Sequence, residues 1–163
     1  IPIQKIKTGL KNFKGVQRRF NKVFSYNNID FYDDYAHHPT EINAVIKAAR
    51  QVNKERKIIC VFQPHRYSRV KSLKNEFARS FKDCDEVVLC PVYSAGEKLK
   101  YNFNQENFSK LISNKSEVQV VNIKNQKDLK NYLKKNLFND EIVICMGAGS
   151  ISNWIREIGK ELK

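Results

Sequence analysis

Lys57-Ile58-Ile59-Cys60-Val61-Phe62 is an unbroken apolar run of mostly branched residues behind one lysine. A strand with one wet face alternates polar and apolar residues. This run does not alternate, which predicts a strand covered on both faces, as in a parallel sheet. Glu86-Val87-Val88-Leu89-Cys90 and Glu141-Ile142-Val143-Ile144-Cys145-Met146 have the same character, and Val118–Val121 is a shorter version. Helical patterns lie between them. Residues 69–82 place Val70, Leu73, Phe77 and Phe81 on one stripe, and Asn104–Ser113, Gln126–Leu137 and residues 150–161 read as further helices.

Upstream, a helix starts near Pro39-Thr40-Glu41 and carries Ile42, Val45, Ile46 and Ala49 at helical spacing. Pro suits a first helical turn, where its missing N–H costs nothing. Residues 17–26 and 29–33 read as two strands joined by Asn27-Asn28, because Asn tolerates the left-handed backbone of a tight hairpin turn. Residues 3–12 read as a short amphipathic helix with Ile3, Ile6, Leu10 and Phe13 on one face, ended by Gly15. One hairpin followed by alternating helices and strands predicts a Rossmann-like α/β fold. Its sheet is mostly parallel, with an N-terminal antiparallel hairpin and helices on both faces.

The length of 163 residues suits one domain, or one domain and a remnant of another. Apolar residues at 41% exclude a disordered chain, and no apolar run approaches the roughly 20 residues of a membrane span. Ile1-Pro2-Ile3-Gln4-Lys5 leads into no apolar signal region, and the absence of an initial Met reads as a piece of a longer chain. The net charge of +13 invites nucleic acid, a membrane surface or an anionic small molecule as partner. The lysines are spread over every segment, however, and no basic run interleaves with aromatics as a single-strand platform requires. Neither nucleic acid nor membrane is therefore expected. Cys60, Cys84, Cys90 and Cys145 have no CxxC spacing, which argues against zinc and for a reducing, cytoplasmic compartment.

In open α/β sheets, ligands bind beyond the carboxyl ends of the strands. There the unusual residues collect: Asp33-Asp34-Tyr35-Ala36-His37-His38-Pro39, Gln63-Pro64-His65-Arg66-Tyr67-Ser68-Arg69, Pro91-Val92-Tyr93-Ser94-Ala95-Gly96-Glu97 and Gly147-Ala148-Gly149-Ser150. A carboxylate such as Asp34 suits ribose hydroxyls, and His37 and His65 suit anionic oxygens. Arg66 and Arg69, three apart at a helix entry, suit a carboxylate or phosphate held by parallel N–H···O bonds. The plainer alternatives are a helix cap for Asp33-Asp34, solvated loop histidines, and arginines that are solvated or paired with Glu76. Gly147-Ala148-Gly149 alone is a weak signal.

Asp33-Asp34-Tyr35-Ala36-His37-His38-Pro39-Thr40-Glu41 closely resembles the signature of the carboxy-terminal domain of the Mur ligase family, in the branch that joins L-alanine to UDP-N-acetylmuramate. Gly15-Val16-Gln17-Arg18-Arg19-Phe20, Phe62-Gln63-Pro64-His65-Arg66-Tyr67, Tyr93-Ser94-Ala95-Gly96-Glu97 and Gly147-Ala148-Gly149 follow the family's order. Ser150 stands where the family usually has Asp. The resemblance implies a cytoplasmic, ATP- and Mg²⁺-dependent enzyme of peptidoglycan synthesis that works through an acyl phosphate. It implies that residues 1–16 are a remnant of the preceding central domain and 17–163 the carboxy-terminal domain. It also implies catalytic roles for His37 and Asp34, nucleotide contacts from Arg19, Asp34 and Tyr35, and an L-alanine carboxylate pocket of His65, Arg66 and Arg69. Tyr93 and Glu97 are further candidates for the amino-acid side, and no metal ligand is expected.

No G-x-x-x-x-G-K-[ST] phosphate loop occurs in the sequence. ATP and Mg²⁺ are therefore expected to be held largely by the missing central domain, one of the two domains that the resemblance places before this one, and the fragment alone is expected to be inactive. Two other readings stay open: the related ligase that attaches a preformed peptide to the same sugar acid, and a stand-alone nucleotide- or anion-binding module.

Overall fold

The computed structural model describes residues 1–11, 16–98 and 103–162. Strands β1 (Asn21–Tyr26) and β2 (Ile29–Asp34) form the antiparallel hairpin. Asn27 and Asn28 both take left-handed backbone, at φ 48° and 62°, and Tyr26 pairs with Ile29 across them. Two such residues in a two-residue turn match the twist of the flanking strands. Strands β3 (Ile58–Phe62), β4 (Glu86–Leu89), β5 (Gln119–Asn122) and β6 (Ile142–Met146) complete a six-stranded sheet in the order β1-β2-β6-β3-β4-β5. Every pairing beyond the hairpin is parallel. The expected fold class is observed.

The unalternating strands are explained by two cores. Ile58, Cys60 and Phe62 of β3 point to one face, where helices α2 (Pro39–Val52), α3 (Tyr67–Ser72), α4 (Lys74–Ala78) and α5 (Gln105–Ser116) supply Ile46, Val70, Phe77 and Phe108. Ile59 and Val61 point to the other. There α6 (Gln126–Asn136) and α7 (Ile151–Leu162) supply Leu133, Ile155 and Ile158. Each such side chain is stabilised by roughly 1.5–3 kcal/mol on burial, so both faces reward apolar residues. All four cysteines are buried and unbridged. Among the described residues, no helix is long and apolar enough to cross a membrane.

Three expectations need correction. Residues 17–20 are not strand: Arg18 and Phe20 have φ of 58° and 50°, and the segment wraps a carboxylate instead of pairing. The helix expected over 69–82 starts earlier, breaks at Leu73 and ends at Ala78. Ser72 Oγ donates to the Ser68 carbonyl and Ser80 Oγ to the Glu76 carbonyl, and such back-bonds bend helices. Helix α1 (Ile3–Lys11) forms, but none of its residues is buried, and Ile3, Ile6 and Leu10 are all exposed. Phe13 and Gly15, expected to extend and end it, lie outside the described residues.

The connections fix where ligands can sit. The chain runs from β2 through α2 to β3, and β6 later inserts between these two strands. The carboxyl ends of β2, β6 and β3 are therefore side by side where the strand order switches direction, the position at which α/β sheets bind ligands.

Candidate functional site

The site begins where β2 ends in two aspartates that point to opposite sides of the strand. Asp34 is 3% exposed and serves the backbone. Its Oδ1 accepts from the Ala36 N–H at 2.7 Å and its Oδ2 from the Phe20 N–H at 2.7 Å. The Arg18 carbonyl accepts from the Tyr35 N–H at 2.8 Å, so residues 18–20 are stitched to residues 34–36. Burial raises the Asp34 pKa, opposed by these two N–H groups and by Arg19. Asp33 is fully buried; its Oδ2 accepts from Ser152 Oγ at 2.5 Å and from Arg156 Nη2 at 3.0 Å.

After β2, the segment Tyr35–His38 turns into α2. His37 Nδ1 lies 2.9 Å from the Tyr35 carbonyl, which can only accept, so the contact requires the proton on Nδ1. Glu41 Oε2 accepts from the His37 and His38 N–H groups, and His38 Nδ1 accepts from the Thr40 N–H. This is a capping box, with Pro39 in the first turn. Burial raises the Glu41 pKa, but those N–H groups, the His37 ring and Arg19 outweigh it and leave the carboxyl below its ordinary value. His38 therefore caps the helix, and His37 is the histidine whose ring turns toward His65.

After β3, Gln63 turns inward and is 3% exposed. Its Oε1 accepts from the Ile151 N–H and its Nε2 donates to Ser150 Oγ, each at 3.0 Å. Gln63 thus caps the first N–H of α7, and Ser150 Oγ holds the Gln63 amide in place. His65 pairs with Tyr93: the Tyr93 N–H donates to the Pro64 carbonyl and the Arg66 N–H to the Tyr93 carbonyl, both at 2.8 Å. The His65 and Tyr93 rings stack with centroids 5.6 Å apart. A Cβ on Gly149 would come within 2.5 Å of Tyr93 Cγ, so only glycine admits the ring there.

Arg69 Nη1 approaches His65 Nδ1 at 3.4 Å. Guanidinium only donates, so the neutral imidazole carries its proton on Nε2. Burial lowers the His65 pKa, and Arg69, His37 and Arg66 lower it further, with Glu97 opposing. The three-apart geometry expected of Arg66 and Arg69 is not that of one helix face. Arg66 precedes α3 with φ 71°, a strained value for a residue with a side chain. It is exposed, and its guanidinium has no hydrogen-bond or ion-pair partner among the described residues. Glu97 accepts from Ser68 Oγ at 2.5 Å and from the Ser68 N–H at 3.1 Å, so it fastens the start of α3. These Ser68 bonds and Arg66 hold its carboxyl below the ordinary range.

One unbroken chain of contacts therefore crosses the sheet edge. Tyr35 and His37 rings lie 5.1 Å apart, His37 and His65 5.8 Å, and His65 touches both Tyr93 and Arg69. Arg19, also expected here, is exposed, with its guanidinium carbon 6.0 Å from the Tyr35 ring centroid. Three residues lay inside the quoted motifs without a site role: Arg18, Gln63 and Asp33, whose alternative reading as a helix cap fails because His38 and Glu41 cap α2. The only signal was placement beside residues that were read, at strand ends where alternate side chains face opposite sides.

Residues 18–149 match the family model described as Mur ligase, glutamate ligase domain. The chain belongs to the Mur ligase family. It is 52% identical over 94% of its length to a UDP-N-acetylmuramate–L-alanine ligase of Pelagibacter ubique, covering 33% of that protein. A ligase of the same name from Fusobacterium nucleatum is 41% identical over 98% of the chain, which covers 35% of it. The crystal structure of UDP-N-acetylmuramate-alanine ligase from Thermotoga maritima superposes with a TM-score of 0.73 at 26% identity, over 99% of this chain and 33% of that one. A murein peptide ligase from Psychrobacter arcticus shares the fold at TM-score 0.74 and 18% identity, over 95% of this chain and 32% of that one. The chain thus spans about a third of the Mur ligases it matches.

Proposed function

We propose that the chain is the carboxy-terminal domain of a cytoplasmic UDP-N-acetylmuramate–L-alanine ligase. In this reading residues 1–16 lead in from a preceding domain and 17–163 are the domain itself. The reading rests on the contact chain Tyr35–His37–His65–Arg69, which lines up aromatic, imidazole and guanidinium groups where β2 and β3 end. The identity to ligases of that name over almost the whole chain supports it.

The reaction transfers the γ-phosphoryl group of ATP to the carboxylate of UDP-N-acetylmuramate and releases ADP. The amino group of L-alanine then attacks the acyl carbon, the C–N bond forms, the C–O bond to phosphate breaks, and a proton leaves the nitrogen. Arg69, with exposed Arg66 beside it, receives the L-alanine carboxylate, since guanidinium binds carboxylate through parallel N–H···O bonds. His65, braced by Tyr93, shares that pocket through its Nε2 proton. His37, with its proton on Nδ1, keeps a lone pair on Nε2 toward the attacking nitrogen. Arg19 and Tyr35 face the nucleotide. Asp34 is a positioning residue, because both its oxygens already bind backbone N–H groups.

Mg²⁺ would neutralise the phosphates in this chemistry. Among the described residues no three His, Cys, Asp or Glu side chains converge as a metal shell. In this reading the metal is held largely by the part of the ligase outside this chain. The test is phosphate release by the full-length enzyme. It should require ATP, UDP-N-acetylmuramate and L-alanine together. Equal turnover with a preformed tripeptide in place of L-alanine would favour the peptide-attaching ligase instead.

A further inference from the structure

Arg18 belongs to none of the expected site residues, yet its guanidinium, 23% exposed, meets three strand-end segments. Its guanidinium carbon stands over the Tyr35 ring, 4.7 Å from the centroid. Its Nη2 donates to the Gly147 carbonyl, and its Nε faces Asp33 Oδ1 at 3.6 Å. Its own carbonyl also accepts from the Tyr35 N–H. Tyr35 is thus gripped twice by one residue, at its backbone and at its ring.

A purely structural arginine here would complete the buried Asp33. Asp33 instead takes its hydrogen bonds from Ser152 and Arg156. Among the described residues, Arg18 Nε and Asp33 Oδ1 have no hydrogen-bond partner; at 3.6 Å they form an ion pair with no hydrogen bond between them. Arg18 gives its hydrogen bond to Gly147 and its flat face to Tyr35. The Gly147 turn requires glycine: it has φ 149°, and a Cβ there would meet the Gln63 carbonyl at 2.7 Å. Guanidinium over an aromatic face is favourable, and the planar fork allows stacking and hydrogen bonding together.

We propose that Arg18 is a positioning residue for the ligation: it fixes the Tyr35 ring against the Gly147 turn and so sets the junction where nucleotide and amino acid meet. The proposal rests on the ligase reading above.

The experiment is a double-mutant cycle in the full-length ligase, with kcat, KM and melting temperature measured for each protein. Arg18→Lys keeps the charge beside Asp33 but loses the planar fork. Small misplacements near reacting groups are costly, so kcat is expected to fall at least about tenfold while the melting temperature changes little. Tyr35→Ala removes the group through which Arg18 acts, so in that background Arg18→Lys should lower kcat less than about twofold. Wild-type kcat in Arg18→Lys would overturn the proposal, as would losses that multiply in the double variant. A wild-type enzyme without L-alanine-dependent turnover would overturn the ligase reading itself and this inference with it. Failure in the variants alone leaves that reading standing.

Discussion

The imidazoles of His37 and His65 stand 5.8 Å apart, inclined by 64°, where β2 and β3 end. Burial makes the charged form of His65 unfavourable, and Arg69, His37 and Arg66 add to this. The folded state therefore prefers neutral His65. Protonation opposes folding, and that cost appears as pH falls below the ordinary histidine value of about 6.5. An NMR titration of the ring is expected to give a midpoint below 6.5, and Arg69→Gln should move it upward. A midpoint at or above 6.5, unmoved by Arg69→Gln, would contradict the assigned environment.

Asp34→Ala should destabilise the domain strongly. It leaves the N–H groups of Phe20 and Ala36 without their acceptor, at about 1–3 kcal/mol each where they remain unsatisfied. Urea denaturation should show a loss of about 2–5 kcal/mol. A loss under about 0.5 kcal/mol would mean the stitched segment is not held by this carboxylate.

Asp30, at the opposite end of β2, gives a pH-dependent term of defined sign. Burial raises its pKa, but bonds from Arg56, Lys22 and Ser25 outweigh this and bring it to about 2. A depressed carboxylate contributes stability above its unfolded value of about 3.9, and loses it as pH falls through about 2. The contribution is at most about 2 kcal/mol, reduced by solvent screening. The stability difference between wild type and Asp30→Asn should therefore hold from pH 7 to 5 and vanish between pH 4 and 2. A difference independent of pH would remove the ion pairs from the account.

The fold was legible because two covered sheet faces demand unbroken apolar strands, and β3, β4 and β6 announce themselves that way. Asn27-Asn28 gave the hairpin for an equally local reason. Residues 17–20 were misread because their conformation is set by Asp34, fourteen positions from Phe20. The break at Leu73 was hidden because the apolar stripe continues through it, while the bond from Ser72 Oγ to the Ser68 carbonyl lies just before it. Within the site, the aromatic, histidine and arginine residues were visible by type. That Arg18 turns inward and Arg19 outward was not visible, since adjacent arginines differ only in the backbone angle between them.

Gly159 sets two effects against each other. Alanine is favoured over glycine within a helix by about 1 kcal/mol. A Cβ at Gly159 would, however, meet the Phe24 ring at 2.5 Å, and overpacking a core costs about 1–3 kcal/mol. Gly159→Ala should therefore destabilise α7 against β1, and Phe24→Leu should recover part of the loss in the double variant. Stabilisation by Gly159→Ala in thermal unfolding would show that the helix gives way easily.

The most direct test of the central claim is the kinetics of Arg69→Lys in the full-length ligase. The claim is that Arg69, seated on His65, receives the carboxylate of L-alanine. Lysine keeps the charge and loses the fork. A charge-assisted contact contributes about 1.5–3 kcal/mol, so the Michaelis constant for L-alanine should rise about ten- to a hundredfold while that for ATP stays within about twofold. An unchanged constant for L-alanine, or an equal rise for both substrates, would contradict the account.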